Sequence, residues 1–475
     1  MEPFRLKDLI CSISGKFIPE NPDVPIKGIS IDSRTIQKDE VYFAIQGNRY
    51  DGHNFIKEAL EKGAAAAVCS KNKPDFIKPF INFFPIIIVE DTITALGEFA
   101  KAYKAKFKNL KIVGITGSNG KTTTKEILVS IFNQKGKSLS NKGNFNNRIG
   151  LPLSIFNLTS DIEHAVFEMG TSVKGEIKIL SEILEPDTGI ITNIGFSHLE
   201  TFISKEGVFE EKKNLFDNIK SNGFLIINND DKFLNTISKY RHHKIITFAL
   251  NATADVYAKN IMLNAEKTDF ELFYKDDSVK VSMPAKGNFN VLNALGAASC
   301  AIGFGFSLDE IKCGIETFIL PKMRMETYIT KTGIVLINDT YNSNPSSVKE
   351  SAEAVLQSYA GKKINLVFGD MFELGNKSAD YHFQLGKFLN LQNINSIYLT
   401  GEMSLYTKKA LDNKNAFYSK DTDTLLKKLE RITVDADSVF LFKASRGMKL
   451  DKLFTKFHNV LKRRGERCCI IYFII

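Results

Sequence analysis

The sequence predicts an α/β protein of three domains, and three observations carry that reading. Its 475 residues exceed what one core organises, since domains run to roughly 100–200 residues each. An apolar run, a glycine-rich loop and a helical pattern follow one another over residues 111–132. Apolar runs then alternate with helical stretches in two separate series, the rhythm of βαβ units around parallel sheets. These series divide the chain at 1–88, 89–319 and 320–475.

The first unit offers short strands in IKGISIDS, VYFAIQG and AAAAVCS around one helix at 54–62, and the chain passes to the centre near 84–91. In the second, KIVGITGSNGKTTTKE opens with a strand and continues into a helix marked by Ile127, Leu128, Ile131 and Phe132. Strands at 165–167, 189–192 and 224–227 then alternate with helices at 175–184 and 205–219. The third unit repeats the alternation with buried strands at 364–368, 396–399 and 439–442. The tail KRRGERCCIIYFII breaks the pattern, a basic cluster before an apolar, β-prone run. A frayed end is the first expectation for it, and a contact with a membrane surface or a partner the second.

Composition excludes disorder and low complexity, with 43% hydrophobic and 25% charged residues, 12 Pro and 31 Gly. The charge is +9, from 63 Lys and Arg against 54 Asp and Glu, and it is spread along the chain. Without a basic arm, an anionic small substrate is expected and nucleic acid is not. None of the six cysteines forms a C-x-x-C pair, so reduced thiols and a cytoplasmic location are expected. The N-terminal residues lack an apolar signal region. The longest apolar stretches, 80–89 and 468–475, fall short of the ~20 residues that span a bilayer, so no transmembrane segment is expected.

A nucleotide phosphate needs converging backbone N–H groups, a helix N-terminus, a lysine for the outer phosphates and a hydroxyl for Mg²⁺. Gly117, Ser118, Asn119, Gly120, Lys121, Thr122 and Thr123 supply all four. Five residues separate Gly114 from Gly120, one more than the strict P-loop spacing. The loop does not decide between ATP and GTP. Glu168 ends the strand AVFEM, where an α/β sheet presents ligands, and His198 follows another in NIGFSHLE. Asn290 and Asn293 lie one helical turn apart, so both amides can face one ligand edge, although on the residues alone helix caps are the first reading.

Taken in order, GITGSNGKTTT, FEMGTSVKGEI, TNIGFSHLETF, EEKKNLF, KGNFNVLNALGAAS, MRMETY and the Lys-x-Ser-Arg at 443–446 resemble the Mur ligase family. The resemblance runs from Gly28 to about Phe457, and the five-residue loop spacing is a family feature. The family loop often has Thr where this chain has Ser118. The resemblance implies a small α/β N-terminal domain holding a UDP end, a central P-loop-type ATPase domain with a parallel sheet, and a C-terminal Rossmann-like domain.

Within the family, NDTYNSNPSS, GDMFELG and KASRGMKL resemble the branch that joins D-alanyl-D-alanine to UDP-N-acetylmuramoyl-tripeptide in peptidoglycan synthesis. Such an enzyme takes ATP and two Mg²⁺, passes through an acyl phosphate and acts as a monomer. The alternative is another family member, such as the ligase that adds the third residue, but its Asp-Asn-Pro-Arg motif is not found here. A nucleotide-dependent switch would share the loop without needing Glu168, His198 and Lys212 together.

By resemblance, Lys121 holds the β- and γ-phosphates, Thr122 and Glu168 ligate one Mg²⁺, and His198 helps bind the second. A lysine after this histidine becomes a carbamate in the family, and spacing selects Lys212, with Lys213 as runner-up. Asn290 and Asn293 fall at the adenine, Arg324 at phosphate and Asp339 at ribose. Asn342, Asn344, Lys443, Ser445 and Arg446 line a dipeptide pocket, and Ser33 and Arg34 meet the uridine diphosphate.

Overall fold

Three large sheets, beside a two-stranded pair of Phe4–Arg5 with Pro25–Ile26, organise the chain in the computed structural model, which describes residues 1–18, 24–82, 84–239, 242–412, 415–463 and 468–470. The first has five strands in the order Gly15–Ile18, Ile86–Val89, Ala66–Ser70, Glu40–Phe43, Gly28–Ser30. Only the pair Gly15–Ile18 with Ile86–Val89 is antiparallel. The expected junction at 84–91 therefore contains a strand of this sheet, and the division at 88 falls inside it. The helix expected at 54–62 is a 3₁₀ turn at Gly52–Phe55 followed by an α-helix at Ile56–Glu61.

The nine-stranded central sheet is parallel from Ser138–Ser140 through Val256–Leu263. Its strands His164–Glu168, Thr188–Ile191 and Phe224–Asn228 are buried at every residue. Such burial follows from helices on both faces, and it is why the runs read as continuously apolar. Strand Lys111–Thr116 lies between Thr188–Ile191 and His164–Glu168. The chain leaves it toward one edge and later returns on its other side, so the loop after Thr116 sits at a topological switch point, where ligands bind. Helix Lys121–Phe132 follows, and Gly314 of helix Leu308–Thr317 lets the two approach closely, since a Cβ there would lie 2.4 Å from Ile131 Cα.

Two antiparallel strands, Thr268–Tyr274 and Asp277–Met283, extend this sheet and had no counterpart in the sequence expectations. The third sheet is parallel from Ala416–Ser419 to Val335–Asp339, with Glu326–Thr330 antiparallel at one side. Residues Cys468–Ile470 pair antiparallel with Tyr328, Ile329 and Thr330. This part of the tail is not frayed, because its backbone pairs as the outermost strand of the sheet. Residues 464–467 and 471–475 of that tail lie outside the described residues. No helix among the described residues is long and apolar enough to cross a membrane.

Central and C-terminal units meet at Lys286, whose Nζ donates to Thr327 Oγ1 at 2.7 Å and lies 5.2 Å from the Tyr359 ring centroid. Burial pushes its ammonium down to about 7, with Glu266 opposing. Below pH 7 both folded and unfolded chains keep the proton, and burying it costs the full penalty. As pH rises past about 7 the folded state sheds the proton, while the unfolded chain holds it to about 10.4. Stability from this group therefore increases with pH across that window, by on the order of 4 kcal/mol. Urea titrations at pH 7 and 10 are expected to show this gain in the wild type relative to Lys286→Met; equal pH dependence in the two would refute the burial argument.

Candidate functional site

A cavity of about 500 Å³ opens between the central and C-terminal sheets. Its floor is the loop after strand Lys111–Thr116. Gly117 (φ +148°) and Gly120 (φ +81°) hold that loop in shapes side chains resist, and a Cβ would meet Thr192 Oγ1 at 1.9 Å or Asn293 Oδ1 at 2.1 Å. Gly120 also begins helix Lys121–Phe132 without a side-chain cap, which leaves the first N–H groups for an anion. Lys121 Nζ rests on the Gly117 carbonyl at 2.8 Å. Burial pushes its ammonium down, Glu168 partly restores it, and Arg324 lowers it further.

Glu168 is the hub. Thr122 Oγ1 donates to its Oε2 at 2.7 Å, and Asn146 Nδ2 donates to its Oε1 at 2.9 Å. Burial alone would raise this carboxyl; the charges of Lys121 and Arg324, with those two bonds, hold it below the usual carboxylate range. From the C-terminal unit, Arg324 Nη2 donates to Thr122 Oγ1 at 2.8 Å, and its guanidinium stacks 4.2 Å over the Tyr341 ring. Asn344 Nδ2 donates to Asn119 Oδ1 at 2.7 Å, and Asn119 Nδ2 to Ser346 Oγ at 3.0 Å. The phosphate-type loop is thus gripped from both sides.

Helix Lys205–Asp217 brings Lys212 to the cavity wall, nearly inaccessible to solvent, while Lys213 turns outward to Glu210 at 2.7 Å. The neighbour Glu211 anchors the helix by accepting the N–H groups of Gly175 and Ile177 at 2.7 and 2.9 Å. Among the described residues no hydrogen-bond or ion partner reaches the Lys212 amine. Burial, then the charge of Lys121, drives its ammonium well below the ordinary lysine range, which favours the neutral amine. His198, at φ +51°, contacts Glu373 of the C-terminal unit through Nδ1 at 2.7 Å.

The remaining expected residues are placed as follows. Ser118, Asn119, Gly120, Lys121, Thr123, Glu168, His198, Lys212, Asn290 and Asn293 line the cavity from the central unit. Asn290 Nδ2 is committed to the Lys286 carbonyl at 2.8 Å, and Asn293 Nδ2 to Asn290 Oδ1 at 3.2 Å. Arg324, Asp339, Asn342, Asn344, Lys443, Ser445 and Arg446 line it from the other side. Lys443 does not present a free cation, because its Nζ is buried against Asp339 Oδ2 at 2.6 Å and Asn342 O at 3.2 Å. Asn344 also caps helix Pro345–Ser358 by accepting the Ser347 N–H.

Ser33 and Arg34 are not in the cavity, which no residue before Ser118 lines. Ser33 Oγ donates to Glu58 at 2.8 Å, and the exposed Arg34 forks onto Asp32 at 2.6 and 2.9 Å. Sequence reasoning missed Asn141 and Asn146, which fix Glu168, although the asparagine-rich NKGNFNNR was a visible signal. It also missed Tyr341, Glu373 and Glu350, a cavity carboxyl that burial pushes up to about 7.

The geometry fits hard-cation and phosphate chemistry. A hydroxyl and a carboxylate 2.7 Å apart at a helix start are the oxygen ligands Mg²⁺ takes, alongside phosphate oxygens. Among the described residues no three His, Cys, Asp or Glu side chains group to hold an ion unaided, so an ion there takes further oxygen ligands, such as phosphate oxygens or water.

Comparison with known proteins agrees in order and extent. Residues 25–104 match the Mur ligase family catalytic domain, 115–301 the Mur ligase middle domain, and 323–446 the glutamate ligase domain. The chain is 33% identical over 441 residues to UDP-N-acetylmuramoyl-tripeptide-D-alanyl-D-alanine ligase of Bacillus subtilis, covering 92% of this chain and 94% of that one. Crystal structure I of MurF from Acinetobacter baumannii superposes with a TM-score of 0.89 at 30% identity, covering 97% and 99% of the two chains. The MurF ligase of Thermotoga maritima, solved in complex with ADP, gives a TM-score of 0.82 at 29% identity over 92% and 98%.

Proposed function

The chain belongs to the Mur ligase family, and from that premise we propose that it joins D-alanyl-D-alanine to the free carboxylate of UDP-N-acetylmuramoyl-tripeptide, with ATP going to ADP and phosphate. The observation that carries this reading is the cavity in which Lys121, Thr122 and Glu168 of one unit meet Arg324 of another. A ligase must hold a triphosphate beside a carboxylate, and this arrangement concentrates cations and donors there. The alternative, the ligase that adds the third residue, is not favoured, because the relatives named above are ligases for the dipeptide.

ATP lies with its outer phosphates on the loop 117–123 and Lys121, its adenine toward Asn290 and Asn293, and its ribose toward Asp339. The substrate carboxylate attacks the γ-phosphorus and ADP leaves, forming an acyl phosphate. The dipeptide amine then attacks the acyl carbon, and the tetrahedral adduct expels phosphate to leave the amide. Mg²⁺, when bound, supplies positive charge where carboxylate and phosphate approach. Thr122 and Glu168 would hold one ion, and His198 with a carbamate on Lys212 a second. Arg324 comes from the C-terminal unit, so phosphoryl transfer waits for that unit to close.

We assign the uridine diphosphate to residues 1–88 through Ser33 and Arg34, nucleotide to 89–319, and the dipeptide to 320–475 through Asn342, Asn344, Ser445 and Arg446. Lys443 acts there by fixing Asp339 and the Asn342 carbonyl instead of meeting the ligand as a free charge. The activity is placed in the cytoplasm, where ATP is available, and the chain is taken to act as a monomer.

Phosphate release from ATP and Mg²⁺ is expected only when both UDP-N-acetylmuramoyl-tripeptide and D-alanyl-D-alanine are present, with the pentapeptide product found by mass spectrometry. Release that ignores the dipeptide, or that requires a single amino acid in its place, would overturn the assignment.

A further inference from the structure

Residues 369–375, GDMFELG, have no task in the reaction above. They leave the carboxyl end of strand Lys363–Gly369 in the C-terminal sheet and cross to the central unit. There Glu373 Oε2 lies 2.7 Å from His198 Nδ1. The backbones lock as well, since the Glu200 N–H donates to the Glu373 carbonyl at 3.2 Å. Gly375 packs so tightly on that segment that a Cβ would sit 3.3 Å from Glu200 Cα. His198 and Glu373 both adopt left-handed backbone, φ +51° and +62°, a conformation such residues keep only where their surroundings enforce it.

About half of the Glu373 side chain is open to solvent, so the ion pair itself adds little stability. What it fixes is the ring. A neutral imidazole has one N–H and one lone pair, and a carboxylate oxygen can only accept. With Nδ1–H donated to Glu373, Nε2 carries the lone pair and is the ring's remaining ligand atom. His198 lines the same cavity as Lys212 and Glu168. Carboxylates that orient metal-binding histidines in this way tune metal affinity. Here the carboxylate belongs to one unit and the histidine to the other.

We propose that Glu373 is a positioning residue for the second metal ion: it selects the His198 tautomer with Nε2 free, and, because the C-terminal unit delivers it, that ion is held tightly only when the two units are closed. The inference rests on the reading of His198 as a ligand of that ion.

The test is Mn²⁺ binding to the full chain by electron paramagnetic resonance, with a non-hydrolysable ATP analogue present, in the wild type, His198→Gln, Glu373→Ala and Glu373→Gln. Two classes of Mn²⁺ are expected in the wild type, one of them lost in His198→Gln. Glu373→Ala should weaken that class by roughly 10- to 100-fold and spare the other. Glu373→Gln, whose amide oxygen still accepts the Nδ1–H, should lose less, and it serves if the alanine variant fails to fold. ¹⁵N spectra of labelled histidine should show the Nδ1–H tautomer of His198 in the wild type and its loss in Glu373→Ala. If His198→Gln loses a class that Glu373→Ala keeps at wild-type affinity, the inference fails while the metal reading stands. Equal weakening of both classes also sinks it, and two undiminished classes in His198→Gln remove the metal reading and the inference together.

Discussion

Replacing Lys121 by alanine lowers turnover by on the order of 10² or more, with the substrates still bound. The ammonium sits at the first residue of helix Lys121–Phe132, held on the Gly117 carbonyl at 2.8 Å and within the field of Glu168. Burial depresses it in the absence of nucleotide, and an arriving triphosphate opposes that shift by favouring the charged form. As the carboxylate attacks, negative charge moves toward the oxygen bridging to ADP, and a donor fixed there stabilises the transition state more than the ground state. Loss of such a group costs several kcal/mol of barrier. The measurement is steady-state phosphate release together with binding of the ATP analogue. A fall in kcat with binding largely kept is expected, and wild-type kcat would reduce the loop to a structural turn.

Much of this arrangement was legible because it is local. The parallel strands announce themselves as short runs apolar on both faces, and the phosphate-type loop is a contiguous stretch whose glycines, lysine and hydroxyl carry their chemistry in order. What escaped is what the sheet assembles from afar. Asp339 and Lys443 are 104 residues apart, yet they sit opposite one another at the ends of adjacent parallel strands, where they form a buried pair. Strand order is a non-local outcome, so neither residue reveals that the other neutralises it. The same holds for Glu373 against His198, and for the Cys468–Ile470 strand, whose partner lies more than a hundred residues earlier. In the first unit the structure adds a local partner instead: Arg34 places Nε and one Nη on Asp32, two residues before it, so the carboxylate sets the direction of the guanidinium.

Lys212→Ala is expected to lose nearly all ligase activity and to recover part of it when acetate or formate is added. The side chain is buried at the cavity wall with no partner among the described residues, and burial with the nearby charge of Lys121 shifts its amine toward the neutral form. A neutral amine is what reacts with carbon dioxide: nitrogen bonds to carbon, one proton leaves, and the side chain ends in a carboxylate. That product reverses the local mismatch. A buried cation beside Lys121 is unfavourable, whereas an anion there is attracted to Lys121 and offers the hard oxygen ligands that Mg²⁺ accepts. Alanine leaves a space of the right polarity for a small carboxylate, so rescue should saturate with concentration and depend on the size of the acid. Lys213→Ala is the internal control, since that side chain points to Glu210 at the surface and should leave activity intact. Full activity of Lys212→Ala without added acid would dispose of the carbamate. Loss without rescue, with the Mn²⁺ classes unchanged, would assign the lysine a role as an amine.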